Sequence, residues 1–423
     1  MKKLVIILSV LIIFPLTIQA KSLFSSGKEC SEWFMHYYIN PEPDKIVPSV
    51  KYMNKSGMLD SEIARPSIFG FLAGVFRENP DKAFKWAKKL RTIKSSHYGV
   101  VVLGLWYANL PDSQKAVYEI LDNDKNLDKD FEYLRNGTPL NIRDIPLKQG
   151  AWVLDALWGE FFATGKPEPI FRITEALPWV DTKGDINKLV IGGAAGWSLR
   201  SNAIQHDRVL EVLAGRAENH PEDNYLKRVI NDAIQERASQ MKEEVDGLNE
   251  YIGHYPPTFK DKKEKAKILS VWKTLVAEAE FYARFDPESE TSFSLRTELY
   301  RQGHNMDVQG SAEKAIENLD ACLGKYPRSV LCNFSAAYLY LSISPEYHNR
   351  GEKSLRILRE YYSPELNPEV EAGYVFFYLY RRDVERAKKQ IDLFIEKFPD
   401  NARSEEFKSM KAAIGDTIDW AKE

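Results

Sequence analysis

Three cysteines in 423 residues are too few for a disulfide-stapled scaffold, and none is spaced as Cys-x-x-Cys, so a thiolate metal site or redox pair is not on offer. The seven histidines contain no His-Glu-x-x-His, which removes the zinc-hydrolase helix. Phosphate loops fare no better. Five residues, not four, separate Gly159 from Gly165-Lys166, and Pro167 stands where a Ser or Thr would have to follow the lysine. Gly192-Gly193-Ala194-Ala195-Gly196 lacks the dinucleotide order and follows no strand-like run. Gly196-Trp197-Ser198-Leu199-Arg200 ends in Arg where a nucleophile elbow needs Gly. No metal or cofactor is therefore expected. Charge of one sign is scarce too: the net charge is −3, and the densest basic run, Lys260 to Lys267, alternates with acids, so no nucleic-acid stripe forms and no nucleic-acid partner is expected. Beyond the first twenty residues no apolar run is long enough to span a bilayer.

The first twenty residues are a different matter. Lys2 and Lys3 precede an apolar run from Leu4 to Ile18, and Gln19-Ala20 ends it with a small residue. This order predicts a secretory signal peptide over 1–20, cleaved near Ala20, and hence a periplasmic or secreted chain without a stable membrane anchor. A retained anchor is the other reading, disfavoured by the short run. Cys30 lies too far from the junction, and in the wrong context, to carry a lipid.

With 44% hydrophobic and 12% aromatic residues, the chain has material for two ordinary cores. It reads as helix after helix, with no sheet. Ile68, Phe69, Leu72, Val75 and Phe76 share a helical face, stopped by Asn79-Pro80. Further helical stretches run from Val100 to Leu110, Ala151 to Phe162, Ile186 to Ser201 and Glu222 to Val245. Asn123 to Pro146 is polar and loop-like. Gly247 and the Tyr255-Pro256-Pro257 cluster mark a boundary, giving an N-terminal helical-repeat domain over 21–248, a linker over 249–265 and a second domain over 266–423.

The second domain repeats itself. Gly303, Met306, Gly310, Ala315, Leu319, Cys322 and Pro327 are followed by Val375, Tyr378, Ala387, Ile391, Phe394 and Pro399, and the spans Ala315 to Pro327 and Ala387 to Pro399 match without a gap. A stretched copy lies between them, with Leu331, Ala337, Tyr340, Ser354, Leu358 and Tyr361 and a longer loop over Ser344 to Arg350. The pattern resembles the tetratricopeptide repeat, a helix pair that stacks into a superhelix and commonly binds proteins. The resemblance implies an all-α, α-solenoid architecture. It also implies a groove lined by the first helix of each pair, where Tyr300, His304, Phe334, Tyr338, Ala372 and Phe376 occupy the matching positions. The alternative for Phe334 and Phe376 is simple core packing.

Ile191 to His206 crowds three glycines and three alanines beside Trp197, Ser198, Asn202 and His206. Small residues at helical spacing favour close helix packing. The rival is a polar pocket walled by Trp197, with Ser198, Asn202 and His206 one turn apart. These phrases, with Tyr37-Tyr38-Ile39-Asn40-Pro41-Glu42-Pro43, look like a family of exported bacterial proteins with no associated activity, over much of Ser31 to Leu213. The reading that follows is a non-enzymatic scaffold or adaptor for a protein or peptide of the cell envelope. The alternative is an envelope hydrolase using the region from Trp197 to His206.

Cys322 closes one repeat and Cys332 opens the next, with Gly324 and Pro327 turning the chain between them, so a Cys322–Cys332 disulfide is expected after export. The alternative is two small buried thiols.

Overall fold

The computed structural model describes residues 23–253 and 257–403. Among these the chain is essentially all-α and contains no strand. Nineteen α-helices are formed among the described residues. The first twelve are α1 (Gly27–Met35), α2 (Ile46–Ser56), α3 (Arg65–Glu78), α4 (Pro80–Leu90), α5 (Ser95–Ala108), α6 (Ser113–Asp122), α7 (Lys125–Asp130), α8 (Trp152–Thr164), α9 (Glu168–Thr174), α10 (Ile186–Gln205), α11 (Asp207–Asn219) and α12 (Asn224–Ile252). The rest are α13 (Lys262–Tyr282), α14 (Glu290–Asn305), α15 (Ser311–Lys325), α16 (Val330–Ile343), α17 (His348–Tyr362), α18 (Pro368–Tyr380) and α19 (Val384–Lys397).

Two compact units divide the chain, Met1–Val229 and Ile230–Glu423. The division falls inside α12, upstream of the glycine and proline cluster. That helix runs through Gly247 because Met241, Val245, Leu248 and Ile252 are buried along it, and such burial outweighs the roughly 1 kcal/mol that a helical glycine costs. Of the stretch expected to be a linker, 249–252 belongs to α12 and 262–265 to α13, while Tyr255 and Pro256 lie outside the described residues.

The first unit is built around α3. Every residue from Ile68 to Phe76 is buried, as befits a helix apolar on all sides and enclosed by others. Helices α5 and α8 pack against it. At the α3–α8 crossing a Cβ on Gly70 would lie 2.0 Å from the Ala156 carbonyl oxygen, and one on Gly159 2.0 Å from that of Ser67. The backbones touch there, so only glycine fits. Arg77 at the end of α3 donates to the carbonyls of Tyr107 (3.0 Å) and Ala108 (3.4 Å), which end α5 without partners of their own. The same guanidinium pairs with the buried Glu160 of α8, and Arg143 Nε lies 3.3 Å from that carboxylate. The stretch Asn123 to Pro146 is no free loop: it holds α7 and short 3-10 turns, anchored by buried Leu127, Leu134, Ile142 and Ile145. Four apolar residues scattered among polar ones give no helical period, and this hid the order from pattern reading.

In the second unit consecutive helices from α13 to α19 pack on one another, and α16 also touches both α14 and α18. Small residues sit at the contacts. Gly303 lies against Trp272 and Ser311, Gly351 against Leu341, and Gly373 against Leu355. The extended loop before α17 holds a 3-10 turn, Pro345–Tyr347, with Arg350 over the Tyr340 ring at 4.3 Å. Three polar side chains of α14 satisfy the far end of α12: Gln302 donates to the Val245 carbonyl (3.0 Å), Asn305 to that of Ile252 (2.9 Å) and Arg301 to that of Gly253 (2.6 Å).

Candidate functional site

The six residues expected to line a groove sit on α14, α16 and α18, and they do not share one environment. Tyr300 is core. It is buried among Val276, Ala315, Leu319 and Ala336, and its hydroxyl donates to Glu280 at 3.0 Å. Burial, with that carboxylate, pushes its pKa up to about 12. The side chain therefore offers a partner nothing, which corrects its placement in a groove. His304 is half-buried one turn further on.

Phe334, Tyr338, Ala372 and Phe376 are half-buried. Phe334, Tyr338 and Phe376 rest on the cluster formed by Ala337, Leu341, Leu355, Leu358, Val370, Tyr374 and Phe377, while Ala372 rests on Val375, Ile391 and Phe394. Each is thus packed in part on the core and exposed in part to solvent. The Tyr338 hydroxyl donates to the Glu369 carbonyl at 2.8 Å, which fixes the ring between α16 and α18, and burial holds its pKa far above the ordinary value. Phe376 stacks against Tyr380 at 6.5 Å, and Tyr380 is exposed. Rings fixed in this way lose little entropy when a ligand covers them.

The orientation of α18 is set by a charge network that the repeat pattern concealed. Glu371 is wholly buried, accepts from Arg359 Nε at 2.9 Å and Gln390 Nε2 at 2.6 Å, and pairs with Arg359 Nη2. Arg359 also lies over the Tyr374 ring at 3.8 Å. A buried carboxylate needs such partners. The one sequence signal was Glu371 standing sixteen residues before Ala387, where the first copy has Leu299 sixteen before Ala315.

A cleft of about 350 Å³ opens in the same unit among α12, α13 and α14, and no motif marked it. Ile234, Met241, Ala279 and Leu295 form its apolar floor, and Ser239, Asp286, Ser289, Thr291 and Ser292 its polar rim. The hydroxyl-rich start of α14 was the available signal.

Residues 191–206 belong to α10 and its C-cap, and the expected pocket residues diverge. Trp197 stands in solvent, 66% exposed. Ser198 donates to the Ala195 carbonyl (3.2 Å) and Asn202 to that of Ser198 (2.9 Å), both in their own helix. His206 is 2% exposed, ringed by His36, Tyr38, Phe161 and Phe162. Its Nδ1 lies 3.4 Å from the Tyr38 hydroxyl, and its Nε2 is buried with no hydrogen-bond partner among the described residues. Burial, and then the charge of His36, hold its pKa down near about 4. These side chains do not assemble a polar pocket.

Cys322 and Cys332 face each other with Cα atoms 6.2 Å apart, inside the window of roughly 4.4 to 6.8 Å that a bridge requires, and both are buried beside Phe293. Cys30 is a buried free thiol with its pKa raised by burial to about 11. Among the described residues no group of three His, Cys, Asp or Glu side chains could hold a metal, and no helix is long and apolar enough to cross a membrane. No protein-family model matches the chain, and no curated protein sequence matches it.

Proposed function

We propose that this chain is an exported helical-repeat adaptor that holds a protein or peptide of the cell envelope against α16 and α18 of its second unit. The observation that carries the reading is the packing order of that unit. Helices pair as α14 with α15, α16 with α17 and α18 with α19, and the first member of each pair touches the first member of the next. Tetratricopeptide repeats stack in this way, and the stacking places first helices side by side along one face. Phe334, Tyr338 and Phe376 belong to such first helices and are half-buried on their core cluster, which supports reading them as the contact surface. Aromatic side chains so held are the usual anchors of a binding surface, each worth about 2 kcal/mol or more when a partner buries it.

Export is supported by the first twenty residues and by the Cys322–Cys332 geometry, since a bridge of that kind persists only in an oxidising compartment. N-terminal sequencing of the chain from the periplasm or medium should begin at or near Lys21. The binding reading is tested by affinity recovery from envelope extract with the wild type and with a Tyr338→Ala, Phe376→Ala double variant. Partners recovered at reduced yield by the variant support it. The same proteins at the same yield would refute the groove.

A further inference from the structure

Helix α10 presents an apolar face to solvent. Ile186 is 76% exposed, Val190 54% and Trp197 66%, and Leu189 stands beside them. The offsets are three, four, seven and eleven residues, so Ile186, Leu189, Val190, Gly193 and Trp197 form one continuous stripe. Exposed Val180, on the turn against which Gly192 packs, widens it. The apolar side chains together present an area on the order of 500 Å², near the upper limit for the largest patch on a monomer.

The stripe has relief. Its centre is Gly193, where an added Cβ would meet nothing within 4 Å, with bulky Leu189 and Val190 on one side and Trp197 on the other. A hollow between two ridges suits another helix better than a bilayer, because a glycine adds nothing to insertion but permits close backbone approach. The pattern also complements itself. If two copies of α10 cross antiparallel about a two-fold axis at Gly193, residue 189 of one copy faces residue 197 of the other, and 190 faces 196. Leu189 then lies on Trp197, and Val190 fills the space over Gly196. The same device already operates inside the fold, where glycines let α3 and α8 touch. The area agrees as well. The stripe supplies somewhat more than half of the ~800 Å² that each partner of a standard interface loses, and Asn187 and Ser201 on its flank can furnish part of the polar rim.

We infer that the exposed face of α10 is an isologous interface, and that its occupant is the α10 of a second copy of this chain. Sedimentation equilibrium of the mature chain across the micromolar range tests this against three variants. Wild type forms a dimer. Trp197→Glu weakens it about tenfold or more. Gly193→Leu does the same although it adds apolar surface, since the larger side chain holds the helices apart. Gly193→Cys, at the axis, links to its own copy under mild oxidation, while buried Cys30 does not. Unchanged helical dichroism of the variants ensures that they are folded. A wild type that stays monomeric overturns the proposal, and if that monomer floats with phosphatidylglycerol vesicles the face belongs to a lipid surface instead. A Gly193→Leu chain that dimerises as tightly as wild type, or a dimeric Gly193→Cys chain that fails to cross-link, also overturns it.

Discussion

His206 shows what a single buried base does to a helical unit. Its folded-state pKa near about 4, against an ordinary 6.5, means that the native chain binds fewer protons than the unfolded chain between those values. The stability contributed by neutral His206 is therefore complete above pH 6.5 and is lost as pH falls toward 4. Its ring neighbours are His36, Tyr38, Phe161 and Phe162, and none of these carries a carboxylate that could hold a proton on it. Acidification across that window should cost the first unit on the order of 2–3 kcal/mol through this residue. Denaturant midpoints at several pH values in wild type and His206→Phe will measure it, and the variant should show a flatter profile. Asp155 acts with opposite sign, because burial raises its pKa to about 6 and the native state gains protons below that value. Glu160 is the second sensitive position. Replacing it by Gln leaves Arg77 and Arg143 beside a neutral group in a dry site, and about 2–4 kcal/mol of stability should go.

Among the helices, glycine carries two opposite meanings. At Gly159 the α3 backbone occupies the space that a Cβ would need, so Gly159→Ala must push α3 and α8 apart and should cost about 3 kcal/mol or more. At Gly193 the space is open and the helix is regular, so Gly193→Ala should stabilise the isolated monomer by up to about 1 kcal/mol. Thermal unfolding of the two variants, compared at low protein concentration, should shift in opposite directions. Equal destabilisation would show that α10 is covered after all.

For the molecule as a whole, each of the two compact units has its own core, and the cysteine pair belongs to the second alone. A bridge closing a separation of 10 residues restricts the unfolded chain by about 2.5–3 kcal/mol in the entropy picture. Cys322→Ser should therefore lower the unfolding transition of the second unit and leave that of the first in place. Alkylation of the unreduced, unfolded chain should label Cys30 alone. Three labelled thiols would remove the bridge.

Much of this was legible in the sequence because it rests on local periodicity and punctuation. The all-α class, the individual helices and the repeated spacing of Ala315 and Ala387 follow from apolar residues at helical intervals and from the Gly and Pro that end them. The nearness of Cys322 and Cys332 follows from a turn too short to separate them. Only the tertiary structure decided which face of each helix is covered. Trp197, in a stretch read as close packing or else as a pocket, stands in solvent, Tyr300 reads as a groove residue and lies in the core, and Gly247 reads as a stop and lies inside a helix. A helical period shows that one stripe is apolar, but burial depends on what distant segments bring against it, and spacing along one chain segment carries no record of that.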